Sequence, residues 1–156
     1  MTKKMRYSNI QIALHWTVAV LVVGQYLFNE PIAQAWNAAA DGLPVSFNPL
    51  ILAHVAGGVL ILALVVWRLV LKSQRAAPPP PDNEPALLRM VAHWSLYGLL
   101  AAMSMSGMAA WFGGVEAAAT AHGVLKVPLI ALIALHLLAV IFHHLILRNP
   151  ILKRMV

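Results

Sequence analysis

The sequence predicts an all-α membrane protein, an antiparallel bundle of four transmembrane helices. Of the 156 residues, 61% are hydrophobic and 10% are charged. The hydrophobic residues fall in four runs, each about long enough to cross a bilayer, at about 9–28, 50–71, 87–112 and 121–147. Short connections make consecutive helices antiparallel neighbours. We therefore expect residues 1–156 to form a single transmembrane domain.

The first run, about 9–28, follows a short basic segment. The stretch AWNAAA downstream resembles a small-residue cleavage site, so a signal peptide is the alternative interpretation. The run is longer than the apolar core of an ordinary signal peptide, and it contains His15, Trp16 and Gln25. A cleaved signal does not need these polar and aromatic side chains. This run is therefore predicted to be a membrane-spanning helix.

The connections differ in composition. Residues 30–48 contain Gly42 and two acidic residues and are predicted to be a loop. Residues 77–85 read APPPPDNEP, and proline lacks the amide donor that a helix needs. They predict a stiff polar connector. A short loop with Glu116 leads to the fourth run, and Asn149-Pro150 ends it.

The basic residues predict the orientation in the membrane. All but one lie at the same side of a four-helix arrangement, and Lys126 alone falls near the other side. The positive-inside rule then places both termini and the proline connector in the cytoplasm. The net charge of +6 thus reports topology rather than nucleic-acid binding. The residues on the cytoplasmic side are Lys3, Lys4, Arg6, Arg68, Lys72, Arg75, Arg89, Arg148, Lys153 and Arg154.

Several site classes are excluded by composition. The chain has no cysteine, which rules out disulfides, iron–sulfur ligation and thioether-attached haem. The sequence also contains no phosphate-binding loop, dinucleotide fingerprint or HExxH zinc motif.

Histidines inside the apolar runs carry the functional signal. His122 and His136 are fourteen residues apart, which on an α-helix puts both rings on one face about 21 Å apart. Counted from the nearest basic residue, His15 and His136 lie about 13 and 18 Å from the cytoplasmic side. His54 and His122 lie together near the outer end. Two facing pairs at two depths predict two stacked haems.

Three more histidines form a shallower level. His93, His143 and His144 are about 6–8 Å from the cytoplasmic boundary by the same count. They are candidates for quinone docking and proton supply, because histidine titrates near neutral pH. The alternative is that they hydrogen-bond haem propionates with help from Arg89 or Arg148. The helical angle from His136 favours His143 over His144 as the inward-facing ring.

Small residues near the histidines are candidates for haem packing. Gly57 and Gly58 follow His54 by one turn, where a porphyrin plane needs missing side-chain volume. The segment SMSGM in the third run offers similar room, although such residues also mark ordinary helix–helix contacts. The histidines are also compatible with hydrogen-bonded packing or with a pathway for metal ions or protons, and both alternatives stay open.

Four segments resemble the bacterial cytochrome b561 family: LHW in the first run, HVAGG in the second, AHWSLYGLL in the third, and H…H…HH…LKRM in the last. The likeness covers essentially the whole chain. It implies non-covalent haem b, held at the inner level by His15 and His136 and at the outer level by His54 and His122. It also implies a bacterial inner-membrane location and a fold shared with the membrane b subunits of formate dehydrogenases and hydrogenases.

The resemblance further implies an activity. The expected function is electron transfer between a small one-electron donor at the outer face and ubiquinone, with superoxide as the donor for some stand-alone members. The protein would then be a superoxide:ubiquinone oxidoreductase. Lys126 departs from the family, whose members are mostly apolar there. It would either steer an anion or serve a haem propionate.

Two further functions are compatible with the sequence. The chain could be the haem-bearing anchor of a dehydrogenase or hydrogenase, or a histidine-lined transporter for a transition metal. Besides lipid and quinone, the expected partners are therefore either a dehydrogenase or further copies of the chain. A transporter would show no Soret absorption band.

Overall fold

Five helices make up the part of the chain that the structure, a computed structural model, describes: residues 7–74, 86–146 and 148. Four of them, α1, α3, α4 and α5, are long and apolar enough to cross a membrane. The predicted fold class is therefore confirmed. The helices are α1 (Asn9–Leu27), α2 (Glu30–Ala40), α3 (Pro49–Gln74), α4 (Ala86–Gly113) and α5 (Glu116–Leu145).

Some of the predicted features lie outside the described residues. The proline connector at 77–85 is one of them, and the stop signal at Asn149-Pro150 is another. Six of the basic residues used for the orientation also lie there: Lys3, Lys4, Arg6, Arg75, Lys153 and Arg154.

The helix ends follow local chemistry. Ser8 caps α1, because its side chain accepts from the Gln11 amide while the Gln11 side chain accepts from the Ser8 amide. The last helix begins at Glu116, five residues before the predicted start at about 121. Its first turns read EAAATA, in which alanine favours helix and an acidic residue complements the helix dipole.

Helix α2 corrects the prediction of a loop over residues 30–48. The first eleven of these residues are helical. Pro31 stands in the first turn, where its missing amide costs no hydrogen bond, and an alanine-rich segment follows. Ala35 is buried, and α2 packs on α3. The sequence predicts a loop here because proline is unfavourable inside a helix and the segment is short.

The core lies between α1 and α3. Leu14, Val18 and Val22 recur every four residues on α1 and pack against Ile61 and Val65 of α3. Helix α4 packs on both α3 and α5. Outward-facing residues are also apolar, which in a bilayer costs nothing, because lipid tails are as apolar as leucine side chains. Close packing and polar contacts, rather than hydrophobic burial, therefore hold the helices together.

Two hydrogen bonds join α1 to its neighbours near the outer end. Gln25 Nε2 donates to the His54 carbonyl of α3 at 3.1 Å, and Tyr26 Oη donates to the Lys126 carbonyl of α5 at 2.8 Å. Gly57 is buried beside the first of these bonds, and a Cβ atom added there would overlap Gln25 Nε2. Gly57 therefore lets the Gln25 side chain pass between α1 and α3.

We expect Gly57→Ala to displace Gln25 and lower the free energy of unfolding by about 1 kcal/mol relative to a neutral Gly→Ala change. Gly98→Ala on α4 is the matched control, since a Cβ atom there meets nothing within 4 Å. Both changes gain the same helix propensity. Thermal unfolding of the detergent-purified variants measures the difference. In a Gln25→Ala background the stability difference between Gly57→Ala and Gly98→Ala should vanish. A difference that persists there would show that Gly57 does not act by making room for Gln25.

Candidate functional site

The outer histidine pair joins α3 and α5. The ring centroids of His54 and His122 are 6.4 Å apart, and the ring planes are inclined by 69°. His54 Nδ1 is buried and has no hydrogen-bond partner within the described part of the chain. A buried imidazole nitrogen without a partner is costly in an apolar bundle, so the site is suited to a further polar or metallic partner.

Helix α4 orients His122. The His122 Nδ1 atom is 2.9 Å from the Met103 carbonyl, to which it can only donate. Ser106 Oγ donates to the same carbonyl at 3.0 Å. Gly107 faces the ring, and a Cβ atom there would lie 3.0 Å from His122 Cε1. Metal-binding histidines usually donate their second nitrogen in this way, which leaves Nε2 of His122 available as a ligand.

A cavity of about 250 Å³ opens between the outer rings. Its walls include His54, His122 and Lys126, and α2 contributes Trp36. Gly58 also lines it, and a Cβ atom at Gly58 would meet nothing within 4 Å. Of the two glycines predicted to pack on haem, Gly58 thus faces the cavity, whereas Gly57 faces Gln25 of α1.

The inner histidine pair joins α1 and α5. His15 and His136 have ring centroids 6.5 Å apart, and their planes are inclined by 62°. Arg68 of α3 reaches this level, with Nη1 at 3.0 Å from His15 Nδ1. The structure therefore brings together both pairs that the sequence predicted, and each pair spans two different helices.

His93 lies closer to the inner pair than the depth count predicted. Its ring centroid is 5.7 Å from that of His136, and its Nδ1 atom donates to the Arg89 carbonyl at 2.7 Å. The count had placed the two histidines about 10 Å apart in depth. The count takes Arg89 and Arg148 to mark the same depth, and the contact between the His93 and His136 rings is inconsistent with that assumption.

The remaining predicted residues lie near the end of α5. His143 and His144 fall in its last turn, seven and eight residues beyond His136. The His143 ring packs on Phe142 with centroids 6.0 Å apart, and His144 Nδ1 is buried. Arg148 is exposed beyond the helix end.

The two pairs fit axial ligation of a metal porphyrin. A metal–imidazole bond is about 2 Å long, so two imidazoles on opposite sides of one metal ion have centroids roughly 6 Å apart. Both observed separations match this value, and the 5.7 Å between the His93 and His136 rings lies in the same range. Within the described residues no three histidine or acidic side chains cluster in a way that could hold a metal ion without a porphyrin. Two imidazole nitrogens at each site are a donor set that haem iron takes.

Sequence reasoning missed three contributors to the sites: Arg68, Gln25 and the Met103 carbonyl. Arg68 carried a usable signal, because it follows His54 by fourteen residues, as His136 follows His122. The other two depend on how α1 and α4 are rotated about their axes, which hydropathy does not report.

Comparisons with known proteins show the family of the chain. Residues 6–156 match the sequence model of the prokaryotic cytochrome b561 family. Cytochrome b562 of Cereibacter sphaeroides is 34% identical over 99% of this chain and 98% of its own length. The probable superoxide oxidase CybB of Yersinia pestis is 27% identical over 96% of this chain and 95% of its own. With a family match over nearly its full length, the chain belongs to the prokaryotic cytochrome b561 family, and so to the haem-binding membrane cytochromes of electron transfer.

Proposed function

We propose that the protein holds two b haems and transfers electrons across the bacterial inner membrane, from superoxide at the outer face to ubiquinone at the inner face. The observation that carries the proposal is the pair of histidine separations, 6.4 Å and 6.5 Å, at two levels of one bundle. Family membership supports haem b. The relative described as a probable superoxide oxidase supports the choice of donor.

Four histidines would hold the two haems: His54 and His122 the outer one, and His15 and His136 the inner one. When bound, haem b supplies one-electron redox chemistry, and two histidine ligands leave no open position for oxygen. The spacing of His122 and His136 on α5 sets the two levels about 21 Å apart along the helix. One helix thereby contributes a ligand to both sites.

The outer end offers an entry for a small anion. Lys126 is half-buried, lies one turn beyond His122 and lines the same cavity as both outer rings. Its charge would attract superoxide into an otherwise mostly apolar space. The acidic residues of the outer connections, Glu30, Asp41 and Glu116, oppose this attraction at longer range. Lys126 lines the cavity and the three acidic residues do not, and its attraction for an anion there is less screened because the cavity has a low dielectric constant.

The inner end is the proposed place of quinone reduction. Two superoxide ions lose one electron each and leave as oxygen, while ubiquinone takes up two electrons and two protons. His93 lies beside His136 and is the candidate for proton supply, because an imidazole both accepts and donates protons near neutral pH. The basic residues at this end support a cytoplasmic location for it and for both termini.

Replacing one axial histidine should remove one haem. In His54→Leu and His122→Leu the haem content per chain should fall by half, with loss of the same spectral component. His15→Leu and His136→Leu should lose the other component. Haem assay and reduced-minus-oxidised spectra of the purified variants measure both effects. Loss of the same component from all four variants, or a colourless wild-type protein, would contradict the two-site assignment.

Lys126→Gln should slow reduction of the protein by superoxide several-fold, because electrostatic steering of an anion depends on local charge. Stopped-flow absorbance at the Soret band measures the rate. Lys126→Arg, which keeps the charge, should retain most of it, and the difference between the variants should shrink at high salt. Equal rates for all three proteins at low salt would remove Lys126 from the proposal. Haems that stay oxidised in the wild type would remove superoxide as the donor.

His93→Leu should slow ubiquinone reduction while both haems are kept, since the His15–His136 separation fits axial ligation and the His93 ring stands beside that pair. Quinol formation by dithionite-reduced protein gives the rate, and the haem assay gives the occupancy. Loss of the inner haem from His93→Leu, with retention in His15→Leu, would instead make His93 the partner of His136.

A further inference from the structure

Two cations at the inner end of the bundle have no acidic partner among the residues that the structure describes. Arg68 and Lys72 stand one turn apart on α3. The acidic residues within the described ranges, Glu30, Asp41 and Glu116, all belong to the outer connections. No carboxylate in this part of the structure therefore neutralises the two charges where they enter the bundle.

Aromatic rings line the place where the two cations meet. The Arg68 guanidinium carbon is 5.7 Å from the centroid of the Tyr97 ring. The Lys72 Nζ atom is 4.9 Å from the Trp94 ring centroid and 5.3 Å from that of Tyr97. Cation–π contacts hold the half-buried Arg68 and the exposed Lys72 toward α4, but they do not neutralise the charges.

Arg68 shares a helix face with an outer haem ligand. It follows His54 by fourteen residues, so the two side chains leave α3 in nearly the same direction. On α5 the same spacing separates two histidines, His122 and His136. Where α5 presents a second ligand to the inner site, α3 presents a guanidinium.

The hydrogen bond between Arg68 and His15 conflicts with ligation by His15. A guanidinium only donates, so His15 Nδ1 accepts the bond, and in a neutral ring the proton is then on Nε2. Neither nitrogen is free to bind a metal ion in this arrangement. Arg68 must therefore leave His15 Nδ1 when His15 binds iron, and the guanidinium then needs another acceptor nearby.

We propose that Arg68, assisted by Lys72, binds the propionate carboxylates of the inner haem. This inference rests on the proposed function, because it takes the inner haem to be held by His15 and His136. A haem b molecule carries two carboxylates, which match Arg68 and Lys72 in number and are opposite to them in charge. The planar guanidinium suits two-point binding of a carboxylate, and the lysine adds a point charge. The phosphate of an anionic phospholipid offers the same oxyanion chemistry from another source.

The test uses purified holoprotein with Arg68→Gln, and with Lys126→Gln as the matched loss of a charge at the outer end. In Arg68→Gln the resonance-Raman propionate bending band of the inner haem should shift. The reduction equilibrium of that haem should move about tenfold toward the oxidised form, about 59 mV in a one-electron titration, because a positive charge near the iron is lost. Lys126→Gln should leave the inner haem's band unmoved.

Arg68→Lys keeps the proposal testable if Arg68→Gln does not fold. It retains the charge but loses two-point binding, so the propionate band should shift while the reduction equilibrium changes little. An unmoved band in either variant, with the inner haem present, overturns the inference. If Arg68→Gln changes the inner haem only in vesicles that contain phosphatidylglycerol, and not in pure phosphatidylcholine, a lipid phosphate is the ligand and the inference is overturned.

The outcomes also separate this inference from the proposed function. If His15→Leu retains the inner haem component, the ligand assignment itself fails, whatever Arg68 does. If His15→Leu loses that component and Arg68→Gln leaves the propionate band unmoved, only the role of Arg68 fails.

Discussion

The fourteen-residue spacing of His122 and His136 is the constraint on which the rest of the bundle depends. Because both rings leave α5 on one face, each needs a partner on a helix opposite that face, at its own level. Helix α3 supplies His54 and α1 supplies His15. This requirement makes α1 and α3 neighbours across from α5, and it leaves to α4 the side between α3 and α5, where it packs on both.

The two levels are built from different chemistry. At the outer level a backbone carbonyl, that of Met103, orients His122, and the absence of a side chain at Gly107 lets α4 approach the ring. At the inner level the neighbours of the rings are side chains, because Arg68 contacts His15 and His93 stands against His136.

Helix α2 makes the outer end of the bundle differ from the inner end. It covers the outer end, where its Trp36 helps to enclose the cavity between His54 and His122. Lys126 lines the same cavity. Tyr26 ties α1 to α5 at the same height by donating to the Lys126 carbonyl. Lys126, whose side chain lines the cavity, thus also joins two helices through its backbone carbonyl.

Sequence alone determined the four spanning helices and the pairing of His15 with His136 and of His54 with His122, because helix rise and period depend only on residue number. It misjudged α2, whose short alanine-rich turns follow a proline, and it separated His93 from His136 by treating basic residues as depth marks. Only the tertiary structure decided that Gly57 faces Gln25, that Met103 holds His122 and that Arg68 reaches His15. These contacts depend on how each helix is rotated about its own axis, and packing between helices sets that rotation where both faces of a helix are apolar.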